Sequence, residues 1–293
     1  MGSIVGATLC THVPRLLMPE AERAKYMGQG GSTFFSALHQ MAEEKIRPLA
    51  VDTFVVFDTH WWTTLDFLID ARARHMGRYT SDEIPEMIFD YDFAYDGDPE
   101  LAHAIEEAAQ KSGTHAKCVS VASLPYHYPT LVPMHYLNTE KKIRVLPISV
   151  AYTSSIEEEL AFGDAFSAAI ENSDRRVVII ASGGLSHRFS DLSEIRLKAT
   201  KDTANIPEAS RLFDQKIIAW LKDGDHGAVI NAAHEFREKA APEGRFAHYL
   251  RMVGALGGNA CQLKGQQFGD YEAAVGTGQA IIWFDTGNHH HEL

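Results

Sequence analysis

The 293-residue chain is predicted to fold as a single α/β domain, with a central, mostly buried mixed sheet flanked by helices. Three observations lead there. Short apolar, β-branched runs alternate with helix-like stretches, the pattern of a sheet covered by helices on both faces. Composition is ordinary for a globular protein, with 45% hydrophobic and 23% charged residues, and a chain of this length buries roughly 75% of its unfolded surface without staples. No internal repeat, low-complexity segment or Pro/Gly/Ser-rich linker divides it. The domain is expected over residues 1–286, with 287–293 as a flexible tail whose His289, His290 and His291 carry no functional weight.

The elements follow in order. Residues 4–9 form a first strand, short and apolar. Residues 34–46 have the mixed pattern of a helix. Residues 53–57, Thr-Phe-Val-Val-Phe, read as a strand buried on both faces, and residues 65–70 as its neighbour. A helix over 99–112 has Asp98 as N-cap, Pro99 in its first turn and Gly113 as its stop. A strand over 141–150 leads to a helix over 156–172. Residues 177–181, Val-Val-Ile-Ile-Ala, form the most apolar strand. Helices over 207–221, 225–239 and 246–256 make the last third, closed by a strand over 280–284.

Charge and cysteine content exclude several classes. Twenty-seven Lys and Arg against 39 Asp and Glu give a net charge of −12, which opposes nucleic-acid binding through the phosphate backbone. A small anionic substrate remains compatible, since it needs only one or two local cations. No run approaches the ~18 apolar residues of a membrane span. Cys10, Cys118 and Cys261 are too scattered for a disulfide framework or a CxxC zinc site. The first residues have neither a basic nor an apolar leader region, so a cytoplasmic protein is expected. Gly28-Gln29-Gly30-Gly31 lacks the strand–turn–helix setting of a phosphate or dinucleotide loop.

Fifteen histidines are the first chemical signal. His12 follows the first strand, His60 the second, and His187 the strand at 177–181 beyond a Ser182-Gly183-Gly184-Leu185-Ser186 turn. Open α/β sheets bind ligands beyond the carboxyl ends of their strands, so three imidazoles delivered there can share one site. A lone histidine at a strand end is more often a hydrogen-bonded structural residue; joint placement favours the functional reading. A metal site needs a carboxylate as well, and Glu208, Glu235, Glu238 and Glu243 are candidates. Glu243 stands between Pro242 and Gly244 at a helix start, which suits an acid aimed into a cleft and equally a solvated acid favoured by the helix dipole.

Thr11-His12-Val13-Pro14, Phe57-Asp58-Thr59-His60-Trp61, Tyr128-Pro129-Thr130-Leu131-Val132-Pro133, Ala181-Ser182-Gly183-Gly184-Leu185-Ser186-His187-Arg188-Phe189 and Gly276-Thr277-Gly278-Gln279 together resemble the LigB-like type II extradiol ring-cleavage dioxygenases. The likeness runs in order over residues 4–284. It implies Fe(II) held by His12, His60 and Glu243, with His187 as acid/base. Tyr128 stands where some relatives carry a second-sphere His, and His127 competes for that place. Two histidines and one carboxylate on one face leave positions open on a non-haem iron for a substrate and O2, and an imidazole with a reference pKa of ~6.5 can take up and return a proton.

The resemblance further implies a small catecholic substrate with O2, and a homo-oligomer, with neither nucleic-acid nor membrane partners. Ring opening to a semialdehyde is expected. 3,4-Dihydroxyphenylacetate (homoprotocatechuate) is the foremost substrate; catechol, protocatechuate, gallate and 2-aminophenol are alternatives. Arg188, Arg15 and Arg245 are candidates for a substrate carboxylate, His127 for substrate contact, His248 for the pocket rim, and Trp61 and Trp62 for an aromatic wall. Each also reads as a packing or surface residue.

Three rivals stand beside this reading. The same ligands suit a hydrolytic zinc site. Gly184-Leu185-Ser186-His187-Arg188 resembles a nucleophile elbow but places Arg188 where that turn needs Gly. A non-catalytic binding protein of the Memo type shares the fold.

Overall fold

A computed structural model describes residues 1–19, 22–23, 31–198 and 200–287. Gly28, Gln29 and Gly30 of the glycine-rich stretch and tail residues 288–293 lie outside the described residues. A sheet of 8 strands runs in the order β6-β3-β7-β2-β8-β1-β12-β9. At its centre β1 (Ser3–Cys10), β8 (Arg176–Ser182), β2 (Thr53–Thr63) and β7 (Arg144–Ala151) are mutually parallel. β12 (Ile281–Phe284) joins β1 antiparallel, and β9 (Gly265–Gln267) joins β12 in the same sense. On the other flank β3 (Phe67–Asp70) meets β7 antiparallel and pairs in parallel with β6 (Ala116–Val119). The sheet is therefore mixed, as expected.

Strand periodicity divides the core into two layers. Val55 and Phe57 point to one side, where they meet α2 (Pro99–Lys111), α4 (Ile156–Glu171), α5 (Glu208–Asp223), α6 (His226–Ala240) and α7 (Ala247–Ala255). Phe54 and Val56 point to the other, under α1 (Phe34–Met41) and α3 (Tyr128–Leu137). Every residue of β2 from Thr53 to Phe57 is buried, which explains a strand without alternation. The Asp98 cap read from sequence is present, its side chain accepting from Leu101 N at the start of α2; the capping box of Ser155 and Glu158 on α4 is an addition the structure shows.

Three local features depart from expectation. Residues 65–70 do not neighbour β2: β7 lies between them, because its parallel pairing with β2 takes that edge. The helix over 34–46 is α-helical only to Met41 and continues as a π-helical turn, Ala42–Ile46. Two small antiparallel pairs were not foreseen, β4 (Arg74–Tyr79) with β5 (Tyr91–Asp96), and β10 (Glu272–Ala274) with β11 (Thr277–Gln279). Among the described residues, no helix is long and apolar enough to cross a membrane.

Candidate metal centre at the carboxyl edge of the sheet

Register aligns the strand ends. β8 lies between β2 and β1, and Ser182 at its end pairs with both Asp58 and Cys10. His12, just beyond β1, is thereby placed beside β8. His60 arrives differently, through a bulge. In the β2–β7 ladder Asp58 opposes Ser149 and Trp62 opposes Val150, so Thr59, His60 and Trp61 have no partners there. Asp58 fastens this bulge: its Oδ1 accepts from the backbone N–H of His60 (2.9 Å) and Trp61 (3.1 Å), and its Oδ2 from the Thr130 hydroxyl (2.7 Å).

Glu243 comes from the opposite side of the chain. The loop after β8 lies against the end of α6, with His187 N bonded to Ala240 O (3.2 Å) and Glu243 N to Leu185 O (3.0 Å). The backbone then turns left-handed through Gly244 (φ 52°), Arg245 (58°) and Phe246 (64°). That conformation is costly for the two non-glycine residues and marks a position the surrounding fold holds firmly. A Cβ on Gly244 would stand 2.9 Å from Thr59 Cγ2, so only glycine lets this turn close on the β2 bulge.

The three candidate ligands meet. His12 Nε2 is 2.9 Å and His60 Nε2 3.5 Å from Glu243 Oε1, and one atom from each residue lies within 4.8 Å of the others. Hydrogen bonds set the histidine tautomer. Ser182 Oγ donates to Pro129 O (2.6 Å), so at 3.0 Å it accepts from His12 Nδ1–H and leaves the Nε2 lone pair free for a metal. The Thr59 hydroxyl (2.5 Å) and Gly184 N–H (2.6 Å) donate to the Glu243 oxygens. Burial opposes ionisation of this carboxyl, but the surrounding imidazoles outweigh it and hold the pKa well below the usual range. A carboxylate with two neutral-capable imidazoles is the donor set that suits a divalent metal with open positions.

His187 stands beside these ligands, its Nδ1 3.7 Å from Glu243 Oε2 and without a hydrogen-bond partner among the described residues. Burial, reinforced by His12 and His60, lowers its pKa despite the pull of Glu243. Tyr128, at the start of α3, donates to Glu83 (3.0 Å) and lies 3.3 Å from His60 Nε2. Burial, then Glu83 and Glu243, pushes its phenol far above the ordinary value, so it stays a neutral donor. A cavity of about 690 Å³ opens here, bordered by His60, His187, Glu243, Trp62, Tyr152 and Phe189 among others. A larger groove of about 1010 Å³ lies at the opposite edge of the sheet, between α2 and α4, and contains none of these groups.

The remaining candidates fall elsewhere. His127 caps α3 through its carbonyl, which accepts from Thr130 and Leu131, while Tyr128 takes the place beside His60. Arg188 is exposed and turns away to the Glu238 carbonyl (2.8 Å). His248 is fully buried rather than at the rim: α7 carries it behind Gly183, whose added Cβ would lie 2.7 Å from its ring. Arg15 pairs with Glu272 at 3.3 Å. Arg245 does border the cavity, and so does Trp62, whereas Trp61 does not. Glu208, Glu235 and Glu238 lie outside the ligand cluster.

Sequence reasoning missed the supporting residues. Ser182 and Asp58 sit inside the quoted motifs but gave no sign of their roles. Asp214 on α5 accepts from Ser186 N (2.9 Å), Ser186 Oγ (2.6 Å) and Tyr271 (2.5 Å), and so fixes the loop that carries His187. Gly278 exchanges backbone bonds with Leu185 (2.8 Å) and Ser186 (2.9 Å) on the same loop.

A family profile described as the catalytic LigB subunit of aromatic ring-opening dioxygenase matches residues 6–284 of the chain, the span that contains every residue of this centre. The chain belongs to the LigB family. Membership makes it a ring-cleaving dioxygenase, an oxidoreductase of the extradiol type, and favours that reading over the hydrolase and binding-protein rivals. Among curated proteins, it is similar to 3,4-dihydroxyphenylacetate 2,3-dioxygenase of Escherichia coli, with 31% identity over 88% of this chain and 91% of the relative. The alpha subunit of 2-aminophenol 1,6-dioxygenase of a Pseudomonas species is 26% identical over 85% of this chain and 90% of its own length. The beta subunit is 24% identical over 96% of this chain and 93% of its own. Among solved structures, an uncharacterized protein of Escherichia coli K12 shares the fold of this LigB chain, with a TM-score of 0.64 at 12% identity, covering 95% of this chain and 99% of that one.

Proposed function

We propose that residues 1–286 form the catalytic domain of an Fe(II)-dependent extradiol dioxygenase that opens a catecholic ring with O2 to a semialdehyde, with 3,4-dihydroxyphenylacetate as substrate. The observation that carries this reading is the convergence of His12, His60 and Glu243 at the mouth of a cavity, with Glu243 Oε1 2.9 Å and 3.5 Å from the two histidine nitrogens. The choice of iron rests on the donor set, two imidazoles and one carboxylate without thiolate. The choice of substrate rests on the Escherichia coli relative. When bound, Fe(II) acts as a Lewis acid that eases deprotonation of a chelating catechol and brings the ring and O2 into reaction.

The chain's own residues supply the rest. His187 takes a proton at its ring nitrogen from a substrate hydroxyl and returns it when the O–O bond breaks; its lowered pKa keeps it neutral and ready to accept. Tyr128 presents a neutral hydroxyl from beside His60 and would donate to a substrate hydroxyl oxygen. Ser182, Thr59 and Gly184 N–H keep His12 and Glu243 in place, so that ligand geometry is set before substrate enters. Phe189 and Trp62 border the cavity and offer apolar surface to a ring.

A homo-oligomer in the cytoplasm completes the proposal. Leu192 and Leu197 are exposed on the segment after His187 and offer apolar contact surface, and the three cysteines are free. Anaerobic loading with Fe(II), followed by 3,4-dihydroxyphenylacetate and O2, tests the function. A yellow product with one O2 consumed per ring is expected. A colourless product, or no uptake with any catechol or aminophenol, contradicts the proposal.

A further inference from the structure

We propose that Arg237 and Arg245 form an anion subsite in the cavity beside the metal ligands, and that the ring this enzyme takes therefore carries a carboxylate. The inference rests on the ring-cleavage reading above and assigns the residues that select the ring substituent.

The chain holds 39 acidic against 27 basic residues, and three arginines of low exposure are paired with carboxylates. Arg251 pairs with Glu159, Arg175 with Asp98 at 2.9 Å, and Arg72 with Asp70 at 2.5 Å. Arg237 and Arg245 differ from these three. Both border the cavity, and neither has a carboxylate partner among the described residues. Among the described residues, Arg237 Nη2 and Arg245 Nε are buried with no hydrogen-bond partner, which is costly unless a ligand supplies one.

The two are also tied together. Arg237 Nε donates to the Arg245 carbonyl at 2.8 Å, which places two like charges on one wall. Arg245 is held over Tyr152, 5.5 Å from the ring centroid, and Tyr152 stacks on Trp62 at 4.9 Å. Glu83 and Glu238 border the same space, but Glu83 is engaged by Tyr128 and Glu238 is exposed. A carboxylate matches the planar donor fork of guanidinium and relieves the repulsion between the pair. A ring without an anionic group, such as catechol or 2-aminophenol, leaves both arginines uncompensated and is the poorer substrate.

Two readouts decide it. The first is the ratio of kcat/KM for 3,4-dihydroxyphenylacetate over its carboxylate-free counterpart 4-ethylcatechol, with bound iron measured in each preparation. In the wild type this ratio is expected at roughly 10- to 100-fold, the scale of one or two charge-assisted hydrogen bonds. It falls toward one in Arg245→Gln and in Arg237→Gln, and recovers in part in Arg245→Lys. A wild-type ratio near one, or a ratio unchanged in both Gln variants, overturns the subsite. The second readout needs neither iron nor turnover. Phenylacetate binding to the metal-free protein, followed by ligand-observed NMR, is expected for the wild type and lost in Arg245→Gln. Equal binding by both, or none by the wild type, contradicts the proposal. Should the wild type cleave neither ring, the substrate named in the proposed function fails, while the phenylacetate result still judges the anion site.

Discussion

Two clusters of buried polar groups lie on the same sheet, and they differ in how completely they are satisfied. Behind the sheet, Arg251 donates to both Glu159 oxygens and to the Ser149 carbonyl, Ser154 adds a hydrogen bond to Glu159, and the guanidinium rests 4.4 Å from the Phe67 ring centroid. Nothing there awaits a partner. At the carboxyl edge, His12, His60 and His187 surround one carboxylate, His187 Nδ1 has no hydrogen bond among the described residues, and a left-handed turn holds Glu243 in place. Burying polar groups is costly unless they are paired. A satisfied network is architecture; an unsatisfied one, held by strained backbone, is a site prepared for something else.

The sharpest break of that contrast is removal of one member from each cluster. Glu243→Ala is expected to abolish metal retention and lower ring cleavage by more than about 10³-fold, while the melting temperature of the metal-free protein changes by only a few degrees. Metal analysis, oxygen uptake and calorimetry check this together. His187→Ala is expected to lower kcat by roughly 10²–10⁴-fold with iron content kept, as befits a proton carrier outside the ligand set. Iron loss in that variant would place His187 among the ligands.

Arg251→Ala is expected to act in the opposite sense. It strands the Glu159 carboxylate and costs about 3–5 kcal/mol, read as a large fall in denaturant midpoint, with the metal affinity of the folded protein retained. Replacing both partners by apolar residues should recover much of that loss.

The smallest expected effect concerns Asp214, which sits between the two extremes. Burial raises its pKa to about 6, even though Ser186 and Tyr271 donate to it. A folded-state pKa above the ordinary 3.8 means that the native protein holds this proton more tightly than the unfolded chain. Its contribution is thus fully present below about pH 4 and lost as pH rises through about 6, worth at most about 3 kcal/mol. Melting temperatures of wild type and Asp214→Asn across pH 4–7 should show the wild type losing ground to the variant as pH rises. Parallel curves would count against the raised pKa.

Much of the site could be read from the sequence because strand ends are legible. A buried run such as Val-Val-Ile-Ile-Ala announces its own end, and a histidine soon after it lands at the carboxyl edge; His12, His60 and His187 were placed in this way. What holds them was not legible. The second strand reads as ending at Phe57, whereas β2 runs to Thr63 through a bulge at Thr59, His60 and Trp61 that the residue types do not mark. Ser182 and Asp214 act through partners far along the chain, and no spacing records those contacts. α3 is apolar on nearly every side, which erases helical periodicity and leaves its bounds unmarked in the sequence. The left-handed turn after Glu243 is marked only by Gly244, since Arg245 and Phe246 give no hint of positive φ.

Anomalous diffraction at the iron edge, from crystals grown anaerobically with Fe(II), tests the central claim most directly. The structure also contains a more exposed group of possible ligands, His103, Glu106 and Cys118, where Glu106 is already engaged by the Cys118 backbone N–H at 2.9 Å. One strong peak roughly 2.0–2.2 Å from His12 Nε2, His60 Nε2 and a Glu243 oxygen is the predicted result. A peak at the His103 group instead, or none at the three ligands in crystals of iron-loaded protein, would contradict the account.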